Sequence, residues 1–274
     1  MMGRLFQVEW LKLKNYKVFW VLIVMYFTGV VIVASGVQFF LEFLKSRGAE
    51  FDGLDPTIIP FYDFPDVWHN IIYMATFFKV ILSFIVIISI TNEISYKTLR
   101  QNVIDGLSKK EFLISKFNFI IILSLIATLV LLVIGLVTGM LWSHVQGTRY
   151  MFGSLEFVAV YFIETVTFLT FAFLVALLLK KAGFAIVTVF MYTLIFEPVL
   201  IVNFEHNPFI PGWLASTAPY WPIKAINNLI RFPYQRYVFM EVQDTVAIKD
   251  LAIVLAWLGI YLTLIYRVLT RKDL

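Results

Sequence analysis

Six long apolar runs constrain this chain more than any other feature of its sequence. They lie at roughly 18–43, 70–91, 113–141, 155–179, 183–202 and 248–268. A helix needs about 20 predominantly apolar residues to cross the hydrocarbon core of a bilayer. Only 15% of the 274 residues are charged, against about 25% in a soluble domain, and the runs lack the alternation of a membrane β-barrel. The sequence therefore predicts one all-α transmembrane domain over residues 1–274, with six transmembrane helices.

The distribution of basic residues predicts the orientation, because loops rich in Lys and Arg stay on the cytoplasmic side. Basic residues flank the first span, occur throughout the connection 92–116, and recur at Lys180, Lys181 and the C-terminus. The segment 44–69, on the other side, carries several acidic residues. We therefore expect a multi-pass protein of the inner (cytoplasmic) membrane, with both termini in the cytoplasm.

Three segments outside the spans are more than simple connections. Residues 4–16 combine helical spacing of apolar residues with Trp10 and several lysines, which predicts a helix lying in the membrane interface. Residues 44–69 and 203–247 mix prolines with aromatic residues. Such segments are too apolar for free loops and too interrupted for spans. We expect re-entrant or interfacial helices there, on the outer face, including an elaborated outer segment before the last span.

Three charged residues lie within the apolar runs: Lys79, Glu164 and Glu197. Lys79 and Glu164 are each about ten residues from the outer end of a span, or roughly 15 Å deep at about 1.5 Å per residue. Charges at such depth are costly and usually face a partner or a polar path. Two interpretations stay open: the residues line a substrate path, or Lys79 and Glu164 form a structural ion pair between two helices.

Common catalytic and metal-binding patterns are missing from the sequence. It has no G-x-x-x-x-G-K-[ST] motif, so the chain does not bind ATP through a P-loop. The histidines His69, His144 and His206 lack the spacing of metal ligands, and there is no cysteine. We expect no metal and no cofactor in this chain. Gly135 and Gly139 form a G-x-x-x-G motif, which permits close helix approach and is expected to pack within the chain.

The polar connection 92–116 is built as a firm element between two spans. The apolar residues of a short helix share one face: Tyr96, Leu99, Val103 and Ile104. Asp105-Gly106 predicts a turn after this helix. Ser108 and Glu111 then have the spacing of a capping box at the start of the next helix. A lever between two transmembrane helices would use all of these features.

The same connection resembles the cytoplasmic loop of ABC-2-type transporter permeases, the membrane subunits of type V ABC exporters. The resemblance rests on a Glu that ends the second span, an aromatic-small-Thr step, a Ser-Lys pair before an aromatic residue, and a later Lys. These positions are Glu93, Tyr96, Thr98, Ser108, Lys109, Phe112 and Lys116. One departure is Lys97, where such permeases often have Gly. The predicted architecture is similar over the whole chain.

The resemblance implies a membrane subunit that works with two copies of a separate ABC ATPase and with a second copy of itself or a homologous permease. ATP and Mg would bind to the ATPase, so this chain would not itself be an enzyme. It would contact membrane lipid and no nucleic acid. Residues 93–112 would form the coupling region, with these contacts to the ATPase: Glu93, Tyr96, Leu99, Arg100, Val103, Ser108, Lys109 and Phe112.

The aromatic outer segments favour export of a hydrophobic or amphipathic substrate, whose identity the sequence leaves open. Two other classes of function also remain. One is a membrane-embedded enzyme acting on lipid or peptide, with Lys79, Glu164 and Glu197 as reacting groups. The other is a scaffold or sensor subunit that transports nothing. An ATPase that co-elutes with a tagged copy of the chain would reject the lone-enzyme interpretation.

Overall fold

The computed structural model describes residues 9–48, 60–98, 101, 104, 106, 108–145, 147–233, 243 and 245–271. Its helices are α1 (Lys17–Ser46), α2 (Asp66–Thr76), α3 (Lys79–Ser95), α4 (Lys109–Trp142), α5 (Thr148–Met151), α6 (Glu156–Leu179), α7 (Ala182–Met191), α8 (Glu197–His206), α9 (Gly212–Ala215), α10 (Pro222–Asn228) and α11 (Ile248–Arg271). A π-helical turn, Tyr192–Phe196, joins α7 to α8, and a 3-10 turn, Ala218–Tyr220, precedes α10. Residues 9–14, here the N-terminal segment, are also helical. No strand occurs among the described residues.

Six segments of the fold can cross a membrane. Five are continuous by length and apolar character: α1, α4, α5 with α6, α7 with α8, and α11. The sixth is the pair α2 and α3, which meet at an angle of 44°. The prediction of an all-α membrane protein is therefore confirmed, and the number of spans agrees with the predicted six if the bent pair counts as one span. The second span, predicted at roughly 70–91, consists of two helices and bends at Phe77 and Phe78 between them.

Helix α6 is the central helix of the bundle. It contacts α2, α3, α4, α7 and α11, and most of its residues are buried. Two of its threonines are accommodated locally: the Thr167 and Thr170 hydroxyls donate to backbone carbonyls one turn earlier, at 2.8 and 2.7 Å. Such bonds let hydroxyl groups be buried without a distant partner. Lipid does not solvate a charged side chain. A charge within the membrane is therefore best accommodated on a helix that other helices surround.

The two glycines of the G-x-x-x-G motif on α4 receive aromatic rings from the start of the second span. A methyl group at Gly135 would lie 2.6 Å from Trp68, and one at Gly139 would lie 2.3 Å from Phe64. Trp68 is itself held in place, since its indole N–H donates to the Met151 carbonyl at 2.9 Å. The motif therefore packs within the chain, as the sequence predicts.

The segments outside the spans are only partly described. Between α8 and α11, the short helices α9 and α10 and the turn Ala218–Tyr220 pack against the bundle, and the Trp257 indole N–H donates to the Tyr220 carbonyl at 2.9 Å. Residues 234–242 and 244, like 49–59 in the first outer segment and 4–8 at the N-terminus, lie outside the described residues. The membrane depth of these segments stays a prediction.

Candidate functional site

Helix α3 ends in a left-handed turn at Lys97, which has a φ of 55°. The Tyr96 and Lys97 amides donate to carbonyls of the last turn, at 2.9 and 3.2 Å. The Thr98 hydroxyl donates to the Glu93 carbonyl at 3.2 Å, so the final turn is closed by backbone and side chain together. A positive φ favours Gly because a Cβ atom is strained there. This backbone geometry accounts for the Gly that similar permeases often carry where this chain has Lys97.

The chain after this turn is helical at the described positions 98, 101 and 104. Tyr96 and Ile104 are strongly exposed, at 77% and 69%. Both belong to the predicted apolar face, and exposed apolar side chains of this kind are available to a partner. Three predicted contact residues lie outside the described residues: Leu99, Arg100 and Val103.

Helix α4 begins with the capping box that the sequence predicts. The Ser108 hydroxyl accepts the Glu111 amide at 3.1 Å, and the Glu111 carboxylate accepts the Ser108 amide at 2.7 Å. The two bonds satisfy amides that the first turn of a helix leaves without a partner. The prediction is confirmed, and α4 has a defined starting point at the exposed Ser108.

Lys116, two turns into α4, is buried and fully engaged. Its Nζ donates to Glu93 Oε1 at 2.6 Å, to Glu9 Oε2 at 2.6 Å and to Ser89 Oγ at 3.0 Å. A lysine has three N–H donors, and all three are used here. Lys12 adds a second ammonium 3.0 Å from Glu93 Oε1. We call Glu9, Lys12, Glu93 and Lys116 the charge network.

The charge network joins three elements: the N-terminal segment, the end of α3 and the first turns of α4. Its two ammoniums and two carboxylates sum to zero formal charge, which suits the burial of Glu9, Glu93 and Lys116, while Lys12 stays exposed. Burying opposite charges together costs less than burying one alone, whereas removing one partner from such a pair costs about 3–5 kcal/mol. The three elements are therefore joined by the hydrogen-bonded ion pairs of Lys116, next to the connection between α3 and α4.

Glu9 and Lys12 are functional candidates that sequence reasoning missed. Glu9 is the only acidic residue among the first 41 positions, and it precedes Lys12 by one helical turn. That isolated acid in a basic helix was the available signal. The sequence does favour Lys116 or Lys97 as a partner for Glu93, and the structure selects Lys116, while Lys97 is exposed.

The predicted contact residues divide into two groups in the structure. Tyr96 and Ser108 are exposed and Lys109 is partly exposed, so they can meet another protein. Phe112 is only 1% exposed and packs edge-on against Phe173, and Glu93 is buried in the charge network. The side chains of Phe112 and Glu93 are enclosed by this chain, so the role that can be proposed for them changes from contact to support.

The intramembrane charges Lys79 and Glu164 are in direct contact between α3 and α6. Lys79 Nζ also donates to Asn227 Oδ1 of α10 at 3.3 Å and lies 5.3 Å from the centre of the Phe168 ring. Both charged side chains are buried. The contact is that of an ion pair joining two helices, and it also reaches the segment before the last span.

Glu197 does not contact this pair, but it faces the same cavity. Its Oε1 accepts the Lys224 amide at 2.7 Å, and the Tyr192 side chain lies near its carboxylate. The cavity has a volume of about 480 Å³, and Lys79, Glu164 and Glu197 all line it. The ion pair therefore does not exclude a polar path, because its members border an open space.

The described histidines meet at most one acidic residue each, as where His144 Nδ1 lies 3.3 Å from Asp63 Oδ1. Within the described ranges, no group of three or more His, Cys, Asp or Glu side chains could hold a metal ion. His69 is buried, stacks on the Phe157 ring at 4.4 Å, and contacts the Arg231 carbonyl at 2.8 Å. In the described structure His69 therefore packs within the bundle.

A family model described as "ABC-2 family transporter protein" matches residues 5–196 of the chain, which is well over half of its length. The match includes the whole charge network, the connection between α3 and α4, and the ion pair of Lys79 with Glu164. Helices α8 to α11 lie beyond it. A search among curated proteins finds no match to this chain.

Proposed function

The chain belongs to the ABC-2 family of transporter proteins, and we propose that it is the permease through which a separate ATPase drives export of a hydrophobic or amphipathic substrate. Its family and its helices make it an integral membrane subunit of an ABC transporter. The proposal adds the ATPase partner, the direction of transport and the kind of substrate. It also assigns the connection between α3 and α4 as the element that receives the ATPase movement.

The charge network is the observation that carries this proposal. A push on the connection reaches α3 and α4 directly, because the connection is continuous with both helices. Lys116 holds the end of α3, the beginning of α4 and the N-terminal segment at bond distances of 2.6 to 3.0 Å. Elements tied in this way move together as a body, which is how hinge and shear transitions pass between domains. The capping box keeps the start of α4 from unwinding under load.

We assign the contact with the ATPase to the exposed side of the connection. Burying an apolar side chain contributes about 1.5–3 kcal/mol, whereas an exposed ion pair contributes about 0–1 kcal/mol. Leu99 and Val103 should therefore dominate assembly, with Tyr96 beside them, and Arg100 and Lys109 should adjust it. Two ATPase copies, each holding ATP and Mg, would serve two permease copies, with both termini of each permease on the ATPase side.

Substitutions in the connection test this assignment. Leu99→Asp should release the ATPase from the detergent-purified complex, because a charge replaces an apolar contact, while Arg100→Ala should retain it. Glu93→Ala should leave the ATPase bound but reduce substrate-stimulated ATP hydrolysis, because it loosens the support and not the contact. The measurements are co-elution with a tagged permease and ATPase activity after reconstitution. If Leu99→Asp and Glu93→Ala both assemble and transport normally, the connection has no coupling role.

A further inference from the structure

The cavity beside the ion pair lies between α3, α6, α8, α10 and the π-helical turn, and its volume is about 480 Å³. Sites for small organic ligands commonly have volumes of about 300–1,000 Å³. Single π-helical turns occur often at functional positions, and here that turn brings Thr193 to the cavity wall. The space is large enough for a small molecule. Which charge such a molecule could carry depends on the charged side chains that line the cavity.

The cationic side chains at this cavity already have anionic partners. Lys79 is paired with Glu164 and bonded to Asn227. Lys224 lies 3.3 Å from Glu205, and Arg231 lies 3.1 Å from Asp250. A ligand anion would have to compete with each of these carboxylates. The described cations therefore offer little to a negatively charged molecule.

Three buried oxygen atoms on the cavity-lining residues have no hydrogen-bond partner within the described part of the chain. They are Glu164 Oε2, Thr193 Oγ1 and Glu197 Oε2. Buried polar atoms are nearly always paired, and a carboxylate oxygen can only accept. A further partner for Glu164 Oε2 or Glu197 Oε2 would therefore be a donor, and a positively charged donor would make a stronger bond than the Tyr192 hydroxyl beside Glu197.

The rest of the lining is apolar and partly open. Phe77, Leu194 and Val202 line the cavity and are exposed. These residues belong to segments that can span a membrane, where exposed apolar side chains meet lipid. A molecule with an apolar part could thus reach the buried carboxylates from the bilayer.

The geometry points to a binding site for a small organic cation, with its ammonium group against Glu164 and Glu197 and its apolar part toward Phe77. The ammonium donates to Glu164 Oε2 and Glu197 Oε2, the oxygens without a hydrogen-bond partner in the described part of the chain, and Thr193 accepts a further N–H. Small organic cations with an apolar part would then be the substrate class of the permease, an inference that rests on the function proposed above. The buried ion pair then has a second role, because Lys79 holds one oxygen of Glu164 and leaves the other to the ligand.

Binding to the purified full chain, in phosphatidylcholine nanodiscs without ATPase, tests this inference. The probe is 1,5-diaminopentane with a dansyl group on one nitrogen, which leaves one free ammonium, and the matched control is 5-aminopentanol with its nitrogen dansylated. Saturable fluorescence, after subtraction of empty discs, should give a Kd for the amine at least about tenfold below that of the alcohol. Equal affinity for the two compounds would overturn the cation site.

Substitutions then locate the site. Glu197→Gln keeps an oxygen for the Lys224 amide but removes the charge, and should weaken amine binding by about tenfold or more. Glu42→Gln, at an exposed acid on α1, should change it by less than about threefold. Because Glu164→Gln alone would leave Lys79 unpaired, it is combined with Lys79→Met, and gel filtration checks folding. Unchanged amine binding in both cavity variants would also overturn the inference.

Failure of this inference is separable from failure of the transport proposal. If the chain co-elutes with an ATPase but binds the amine and the alcohol equally, only the proposed substrate class is wrong. If the chain prefers the amine through Glu197 but no ATPase co-elutes with it, the binding site stands and the permease role is wrong. If the cation site and the permease role are both correct, the dansylated amine should stimulate ATP hydrolysis by the complex. The Glu197→Gln variant should lack this stimulation.

Discussion

At the scale of single residues, two buried lysines, Lys79 and Lys116, form the central contacts of the two charged clusters. Each is surrounded by acceptors from two or more elements, and each lies against an aromatic ring. The difference lies in what surrounds them. Lys116 joins three elements in the charge network, whereas Lys79 and Glu164 border a cavity. The first arrangement suits a mechanical joint, and the second suits a binding site.

A double-mutant cycle on Lys79 and Glu164 measures how strongly this pair couples. Lys79→Met should destabilise the protein by about 3–5 kcal/mol, because it leaves a buried carboxylate without its partner. Adding Glu164→Gln should recover part of that loss, since no charge is then stranded. The measurement is the free energy of unfolding in mixed micelles for all four proteins. Strictly additive losses would show that the contact contributes nothing to stability.

Helix α4 shows how one element serves both ends of the molecule. Its first turn is fixed by the capping box, and Lys116 ties the next turns to α3 and the N-terminal segment. Near its other end, Gly135 and Gly139 accept Trp68 and Phe64. A movement at one end of α4 therefore reaches the start of the second span as well as its end.

Substitution of the α4 glycines tests that packing. Gly139→Ala should destabilise the protein by about 1–3 kcal/mol, because the new methyl group meets the Phe64 ring at 2.3 Å. Gly259→Ala is the matched control on α11, where nothing lies within 4 Å, and helix propensity should make it neutral or stabilising. Thermal unfolding of both variants in detergent provides the comparison. A Gly139→Ala protein as stable as the control would contradict the close packing of α4.

At the scale of the whole molecule, the two ends of the bundle have different characters. The charge network, the connection between α3 and α4, and Lys180-Lys181 lie toward one end, because successive spans run antiparallel. The outer segments, with α9 and α10, lie toward the other. The proposed orientation puts the first end against the ATPase and the cavity nearer the second. This arrangement would separate the proposed ATPase contact from the proposed substrate site.

Cysteine labelling in intact cells tests this orientation directly, because the chain contains no cysteine of its own. Ser46→Cys and Ser216→Cys should react with an impermeant maleimide from outside, since both serines are exposed. Ser108→Cys should react only after the cells are permeabilised. Labelling of Ser108→Cys in intact cells would reverse the orientation and remove the connection from the ATPase.

Features that depend on neighbouring residues could be predicted from the sequence. The six spans follow from the number of apolar residues needed to cross a bilayer, and the capping box follows from hydrogen bonds that span three residues. The similar depth of Lys79 and Glu164 also follows from helix rise alone. Each of these depends on geometry that a helix imposes on any chain, so residue spacing is sufficient information.

The contacts that matter most for the proposed function were decided only by the tertiary structure. Lys116 meets Glu9 across 107 positions, and nothing in their local sequences specifies that pairing. For Glu93 the sequence leaves Lys97 and Lys116 open, and only the packing selects Lys116. Likewise, only the packing of the helices buries Glu164 Oε2 and Glu197 Oε2 with no hydrogen-bond partner in the part of the chain that the structure describes. Side-chain partners across helices depend on crossing angle, rotation and rotamer together. Hydrophobic pattern constrains none of these closely, because many packings bury the same apolar faces.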